Sequence, residues 1–204
     1  MPIASEIELV GPGISLWRIY DPAVKADLFS TAVATANGTF LVDPVLLAPI
    51  AFAHLSADGD IAGIVVTNEN HLRAAATFAD QFDVPILVHP ALMDGTALPR
   101  MQPIRDHGTF ATGLTAIKID GGPTGEIAIH SDAEGGTLII GDALINFEPY
   151  GFALLPAKYC SNARVMRRSL PKLLEYTFQR MLFAHGTPIL TAAQQRLEQL
   201  LLQR

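Results

Sequence analysis

The feature that most constrains this chain is a strand-like segment that occurs twice. Gly38-Thr39-Phe40-Leu41-Val42-Asp43 is echoed far downstream by Gly136-Thr137-Leu138-Ile139-Ile140-Gly141-Asp142. Each copy is a run of apolar residues that ends at an acid, which places a carboxylate at the end of a buried strand. Such self-similarity points to two related β-rich halves, each covered by helices and facing one another as an α/β, four-layer αββα sandwich. Gly-Thr followed by three aliphatics also describes an ordinary hairpin strand, so the echo alone leaves both readings open.

The segments around each copy fit the two-half reading. In the first half, apolar runs bounded by Gly, Pro, Asn and Asp predict strands at 14–20, 29–36, 39–42, 63–67 and 85–88, with helices at 48–55 and 72–82. Asn37-Gly38 is the strongest hairpin signal, because both residues tolerate a positive φ. The second half predicts strands at 114–119, 126–130, 137–141 and 181–184, and helices at 170–180 and 192–202. Two stretches, 94–113 and the aromatic 147–162, read as irregular loops. The second could roof a pocket or form a subunit contact.

With 204 residues and half of them hydrophobic, the chain can bury one large core, and a single domain over 1–204 is expected. A formal charge of -6 argues against nucleic acid and anionic lipid as partners. The lone Cys160 excludes an internal disulfide and a Cys-rich metal ribbon, and fits a reducing cytoplasm. Residues 1–10 lack the basic-then-apolar pattern of a signal peptide, and no window is apolar enough for a membrane helix. Charged residues make up only 17% of the chain, which favours apolar contact with a second copy, so a homodimer is expected.

Sheets of this kind place ligands at strand ends. The segments there are Thr67-Asn68-Glu69-Asn70-His71, the turn Asp120-Gly121-Gly122-Pro123-Thr124-Gly125, Gly141-Asp142 and Ala184-His185-Gly186. Together with Asp43, their order resembles that of the metallo-β-lactamase superfamily, including its glyoxalase-type hydrolases, over nearly the whole chain. That family binds two metal ions through Thr-His-x-His-x-Asp-His. Laid on Thr67-Asn68-Glu69-Asn70-His71-Leu72-Arg73, the two leading histidines become Asn68 and Asn70, the aspartate becomes Leu72 and the last histidine becomes Arg73. The family's next histidine falls on Gly122, its bridging aspartate on Asp142 and its terminal histidine on His185.

A two-ion site does not follow from these residues. Leu72 has no lone pair to offer, an Asn amide competes poorly for zinc, and Arg73 would put a fixed positive charge where a second cation should sit. A reduced site would consist of Asp142, His185 and the displaced His71, one carboxylate and two imidazoles, sufficient for a single divalent ion, with zinc best suited. Alternatively Arg73 replaces the metal by pairing with Asp142, and His185 is an ordinary strand-end histidine. Asn68, Asn70, Arg73 and Gly122 are candidates to line a pocket for an unidentified small molecule.

The other signals are weaker. His54, His89, His107 and His130 are expected to be surface or capping residues, and Cys160 a loop thiol. Ser169-Leu170-Pro171-Lys172 matches Ser-x-x-Lys, yet Ser169 more plausibly caps a helix. The turn at 121–125 lacks a following Lys and hydroxyl residue and does not read as a phosphate loop. Two functions remain: a hydrolase acting on a small ester, thioester or amide through a metal-activated water, as the resemblance implies, or a catalytically silent, metal-free binding module.

Overall fold

The structure is a computed structural model that describes residues 3–56, 59–147 and 149–203. Its first sheet holds β1 (Glu8–Gly11), β2 (Ile14–Asp21), β3 (Ala26–Thr35), β4 (Gly38–Val42), β5 (Ile61–Val66), β6 (Ile86–Val88) and β7 (Met101–Pro103), side by side in that order. Helix α1 (Pro49–Ser56) joins β4 to β5, and α2 (Ala75–Phe82) joins β5 to β6. In the second half come β8 (Thr109–Ala111), β9 (Leu114–Lys118), β10 (Ile127–Ser131) and β11 (Thr137–Ile140). They are followed by the hairpin β12 (Leu144–Phe147) and β13 (Gly151–Leu154), helix α3 (Ala163–Ser169), β14 (Arg180–Phe183) and α4 (Ala193–Leu202). The second sheet has the order β14-β11-β10-β9-β8.

Burial divides these elements into four layers. Ile14, Leu16, Val42 and Val65 of the first sheet pack against Leu114, Ile127, Ile129 and Leu182 of the second. On its other face the first sheet covers Ala75, Phe78 and Ala79 of α2, while the second covers Met166 of α3 and Leu197 of α4. Alternation along each strand is the cause, since successive side chains point to opposite faces. Among the described residues, no helix is long and apolar enough to cross a membrane.

The echoed segments are topological equivalents. β4 pairs antiparallel with β3 and parallel with β5, and β11 pairs antiparallel with β10 and parallel with β14. Each is therefore a hairpin strand that then crosses over through helical structure, and Asp43 and Asp142 leave corresponding strand ends.

Several local expectations are corrected. The hairpin loop is Ala36-Asn37, because Gly38, at φ 105°, already pairs with Thr35. Helix α2 starts at Ala75 rather than 72, since Arg73 takes a left-handed φ of 37° and separates it from a 3-10 turn over Glu69–His71. Residues 94–113 contain β7 and β8, which lie at the edges of the two sheets, and 147–162 contains the end of β12, all of β13 and a 3-10 turn over Ala157–Tyr159. In place of a helix at 170–180, α3 ends at Ser169 and a 3-10 stretch follows over Leu170–Glu175. Pro171 is the reason: it lacks the N–H that would continue the α-helical ladder. Strand β1, which the sequence pattern does not mark, forms the outer edge of the first sheet.

Candidate functional site

Four strand ends supply the polar residues that converge at one edge of the sandwich. Asp43 follows β4, Thr67 to His71 follow β5, Asp142 follows β11 and His185 follows β14. His71 Nε2 lies 3.3 Å from Asp142 Oδ1, His185 Nε2 lies 3.4 Å from the same oxygen, and the two Nε2 atoms are 3.3 Å apart. The three donor atoms form a nearly equilateral triangle, and among the described residues this is the group of His, Cys, Asp and Glu able to hold a metal ion.

Both imidazoles are aimed from behind. His71 Nδ1 is 2.9 Å from Asp43 Oδ2, and His185 Nδ1 is 3.3 Å from the carbonyl oxygen of Asp27. An acceptor at Nδ1 fixes the ring so that Nε2 faces the centre, the arrangement by which metal-binding histidines are oriented. Asp43 is itself immobilised, with Oδ1 accepting the Thr67 N–H at 2.8 Å and Oδ2 the Thr67 hydroxyl at 2.6 Å. It reaches them from a left-handed backbone, φ 48°, a conformation costly for a non-glycine residue and retained where surroundings enforce it.

This fold has counterparts among known proteins. A family model described as metallo-beta-lactamase superfamily matches residues 7–203. The chain belongs to the metallo-beta-lactamase superfamily. Among solved structures it is similar to DIM-1 metallo-beta-lactamase, with 15% identity, a TM-score of 0.76, and 98% of this chain and 97% of the other covered. A metallo-beta-lactamase family protein from Thermus thermophilus has 20% identity and a TM-score of 0.68, covering 94% of this chain and 79% of its own. An archaeal superfamily protein from Sulfolobus tokodaii has 15% identity and a TM-score of 0.64, covering 87% and 81%. No match was found among curated proteins.

The superfamily fold brings His71, Asp142 and His185 together, but it does not pair Arg73 with Asp142. The Arg73 guanidinium instead donates to the carbonyl oxygens of Phe29, within β3, and of Asp43 and Ala184, just past β4 and β14, tying together three strands. Asn68 is fully buried, and its amide donates to Asp142 Oδ2 at 3.2 Å and to Glu126 Oε2 at 2.7 Å. Asn70, on the exposed rim, donates to the same Asp142 oxygen at 3.3 Å. Gly122 contributes room: a Cβ there would stand 3.0 Å from Glu126 Cγ.

Charge is finely divided in this pocket. Burial works against a charged His71, yet Asp142 and Asp43 on either side raise it to about 9. Burial and the positive charge of His71 lower His185 to about 4, so the metal-free site holds one protonated and one neutral imidazole near neutral pH. Asp142 is buried too, but His71, His185 and the Asn70 amide hold its carboxyl well below the usual range. Glu126 moves the opposite way, raised by burial and by the Asp142 charge.

The motif reading marks Asp43 and Thr67 but not their role behind His71, and Glu126 escapes it altogether. Glu126 looks like the first residue of a strand, although an acid between a Gly-rich turn and an apolar run is itself a signal. The remaining polar candidates lie apart from the centre. His89 Nδ1 accepts the Ala91 N–H, His107 bonds the Tyr176 hydroxyl, and His130 Nε2 bonds the Thr177 carbonyl. Ser169 makes no side-chain cap, and its Oγ accepts the Asp120 N–H instead. The half-buried Cys160 contacts the carbonyls of Leu155 and Pro156. Its segment is tied to both flanks of the site, through Leu155 N–H to Ala143 and Ser161 N–H to Gly122.

Proposed function

We propose that this protein is a hydrolase using a single metal ion held by His71, Asp142 and His185, acting on a small ester, thioester or amide. The donor triangle carries this reading. Four-coordinate zinc with bonds of about 2.0–2.1 Å has ligand–ligand edges of roughly 3.3–3.4 Å. The observed separations of 3.3, 3.3 and 3.4 Å fall there. An octahedral ion with bonds of about 2.0–2.1 Å has edges of roughly 2.9 Å, so the triangle fits tetrahedral zinc better than magnesium. Two imidazoles and one carboxylate are also a zinc donor set, with one position left open.

When bound, zinc supplies Lewis acidity toward a carbonyl and lowers the pKa of water. The protein's own residues orient and exclude. Asp43 and the Asp27 carbonyl aim the rings, Asn70 offers an amide donor at the rim, and the buried walls keep bulk water away from Asp142 and His71.

A second reading rests on the protonated His71, which sits between Asp43 and Asp142 as a self-contained ion network and needs no metal. In that case the pocket binds a small molecule or protein without catalysis. Elemental analysis of the purified chain after zinc loading and desalting separates the two. The hydrolase reading expects about one zinc per chain, lost in His71→Ala, Asp142→Ala and His185→Ala; a loaded protein without zinc would favour the silent module.

A further inference from the structure

The two oxygens of Asp142 face different surroundings. Oδ1 looks toward His71 and His185 Nε2, whereas Oδ2 accepts N–H groups from Asn68 at 3.2 Å and Asn70 at 3.3 Å. A carboxylate that bridges two ions must offer both oxygens, and here a second cation would have to displace two amide donors from Oδ2. The Asn68 amide cannot easily turn away to admit one. Its Oδ1 accepts the Asn70 N–H at 2.8 Å, and its Nδ2 also donates to Glu126 Oε2 at 2.7 Å.

Glu126 is anchored just as firmly. Its Oε1 accepts the N–H groups of Asp142 and Ala143, each at 2.8 Å, so one buried carboxyl grips both the backbone that carries Asp142 and the amide that orients it. Glycine on two sides makes this position possible. A Cβ at Gly141 would come within 2.9 Å of Glu126 Oε1 and 2.7 Å of Thr67 Oγ1, and one at Gly122 would press on the Glu126 stem at 3.0 Å. At 2% exposure Glu126 is beyond the reach of substrate, so it acts through Asn68 and the Asp142 loop.

We propose that Glu126 is a positioning residue that, through Asn68 and the backbone of the Asp142 loop, sets the metal affinity of a centre whose second-ion position, Asp142 Oδ2, is closed by the Asn68 and Asn70 amides. This rests on the single-metal reading above. Partners behind a metal ligand usually change affinity by about 10–100-fold when removed. Glu126→Gln is a selective probe, because it keeps an oxygen for the two backbone N–H groups but sets an amide donor against Asn68 Nδ2.

The test is calorimetric titration of the full metal-free chain with Zn²⁺, paired with the visible spectrum of the Co²⁺-loaded protein and the melting temperature of the metal-free form. The unaltered chain is expected to bind one Zn²⁺. In E126Q the Kd should rise about 10-fold or more, with an altered cobalt spectrum and the stoichiometry still one. Should E126Q fail to fold, Asn70→Ala removes a donor from the same oxygen at the exposed rim and should also weaken binding several-fold. An unchanged Kd and cobalt spectrum in a folded E126Q, or an unchanged Kd in N70A if E126Q does not fold, would overturn the role of the network while leaving the single-metal reading intact. Two ions bound by the unaltered chain would overturn the closure of Oδ2, and no ion bound would overturn both readings.

Discussion

Asp43 and Asp142 end topologically equivalent strands in the two halves, yet they are used in opposite ways. Both oxygens of Asp43 are held by fixed donors, the Thr67 N–H, the Thr67 hydroxyl and His71 Nδ1. Asp142 has fixed amide donors only on Oδ2, and Oδ1 is turned toward two Nε2 atoms whose lone pairs are available once His71 loses its proton. A saturated buried acid serves the scaffold, whereas an acid with one oxygen aimed at convergent imidazoles can hold a cation. The comparison teaches that strand-end position alone does not define a ligand; the donors already attached to each oxygen do.

The largest expected effect comes from removing the scaffold acid. Asp43→Ala leaves the protonated His71 and Arg73 without their nearest carboxylate, and should destabilise the metal-free protein by about 3–5 kcal/mol in chemical denaturation. Asp142→Ala should cost less, about 2–3 kcal/mol, because His71 keeps Asp43 and Glu126 loses a repulsive neighbour. A greater loss for the Asp142 variant than for the Asp43 variant would break the comparison.

Titration sharpens it next. His71, raised from 6.5 to about 9, contributes stability that is complete below its unfolded pKa and is lost as pH rises toward 9. Glu126, also raised, acts in the same direction above its own unfolded value, and His185, lowered to about 4, contributes stability that is lost as pH falls from 6.5 toward 4. The metal-free protein should therefore lose about 2–3 kcal/mol between pH 6.5 and 9 from His71 alone, with Glu126 adding to the loss, as measured by urea denaturation across that range. A stability that rises through the range would contradict the placement of His71 between two carboxylates. Zinc needs the same nitrogen, so binding at pH 7 should release about one proton, with affinity rising with pH until His71 is neutral. Calorimetry in buffers of different ionisation enthalpy reads that proton directly. The smallest effect belongs to Thr67→Val, which removes one of several bonds to Asp43 and should cost about 1 kcal/mol; a cost near that of Asp43→Ala would mean that Asp43 depends on that hydroxyl alone.

Much of the scaffold was legible because burial imposes periodicity. The apolar runs ending at Val42, Val66, Ile140 and Phe183 mark strands, and the polar residue after each marks the edge where they meet. Asp142 and His185 stand out for that reason. His71 is harder to read, since it occupies a variable position of the family motif and gains its place only because the 3-10 turn over Glu69–His71 points it inward. The pairing of Arg73 with Asp142, one of the two arrangements the sequence leaves open, does not form, because the left-handed backbone that directs the guanidinium to three carbonyls leaves no mark in composition. The local pattern marks Glu126 as an acid after a Gly-rich turn but not its role, which depends on contacts with Asn68, Asp142 and Ala143 and on the space left at Gly141, in segments distant along the chain.

The most direct test is X-ray absorption at the zinc edge on the zinc-loaded, desalted protein. A first shell of about four nitrogen and oxygen atoms near 2.0–2.1 Å, with outer scattering from two imidazoles that diminishes in both His71→Ala and His185→Ala, is the expected result. A zinc shell without imidazole scattering, or one unchanged in those variants, would contradict a centre built on His71, Asp142 and His185.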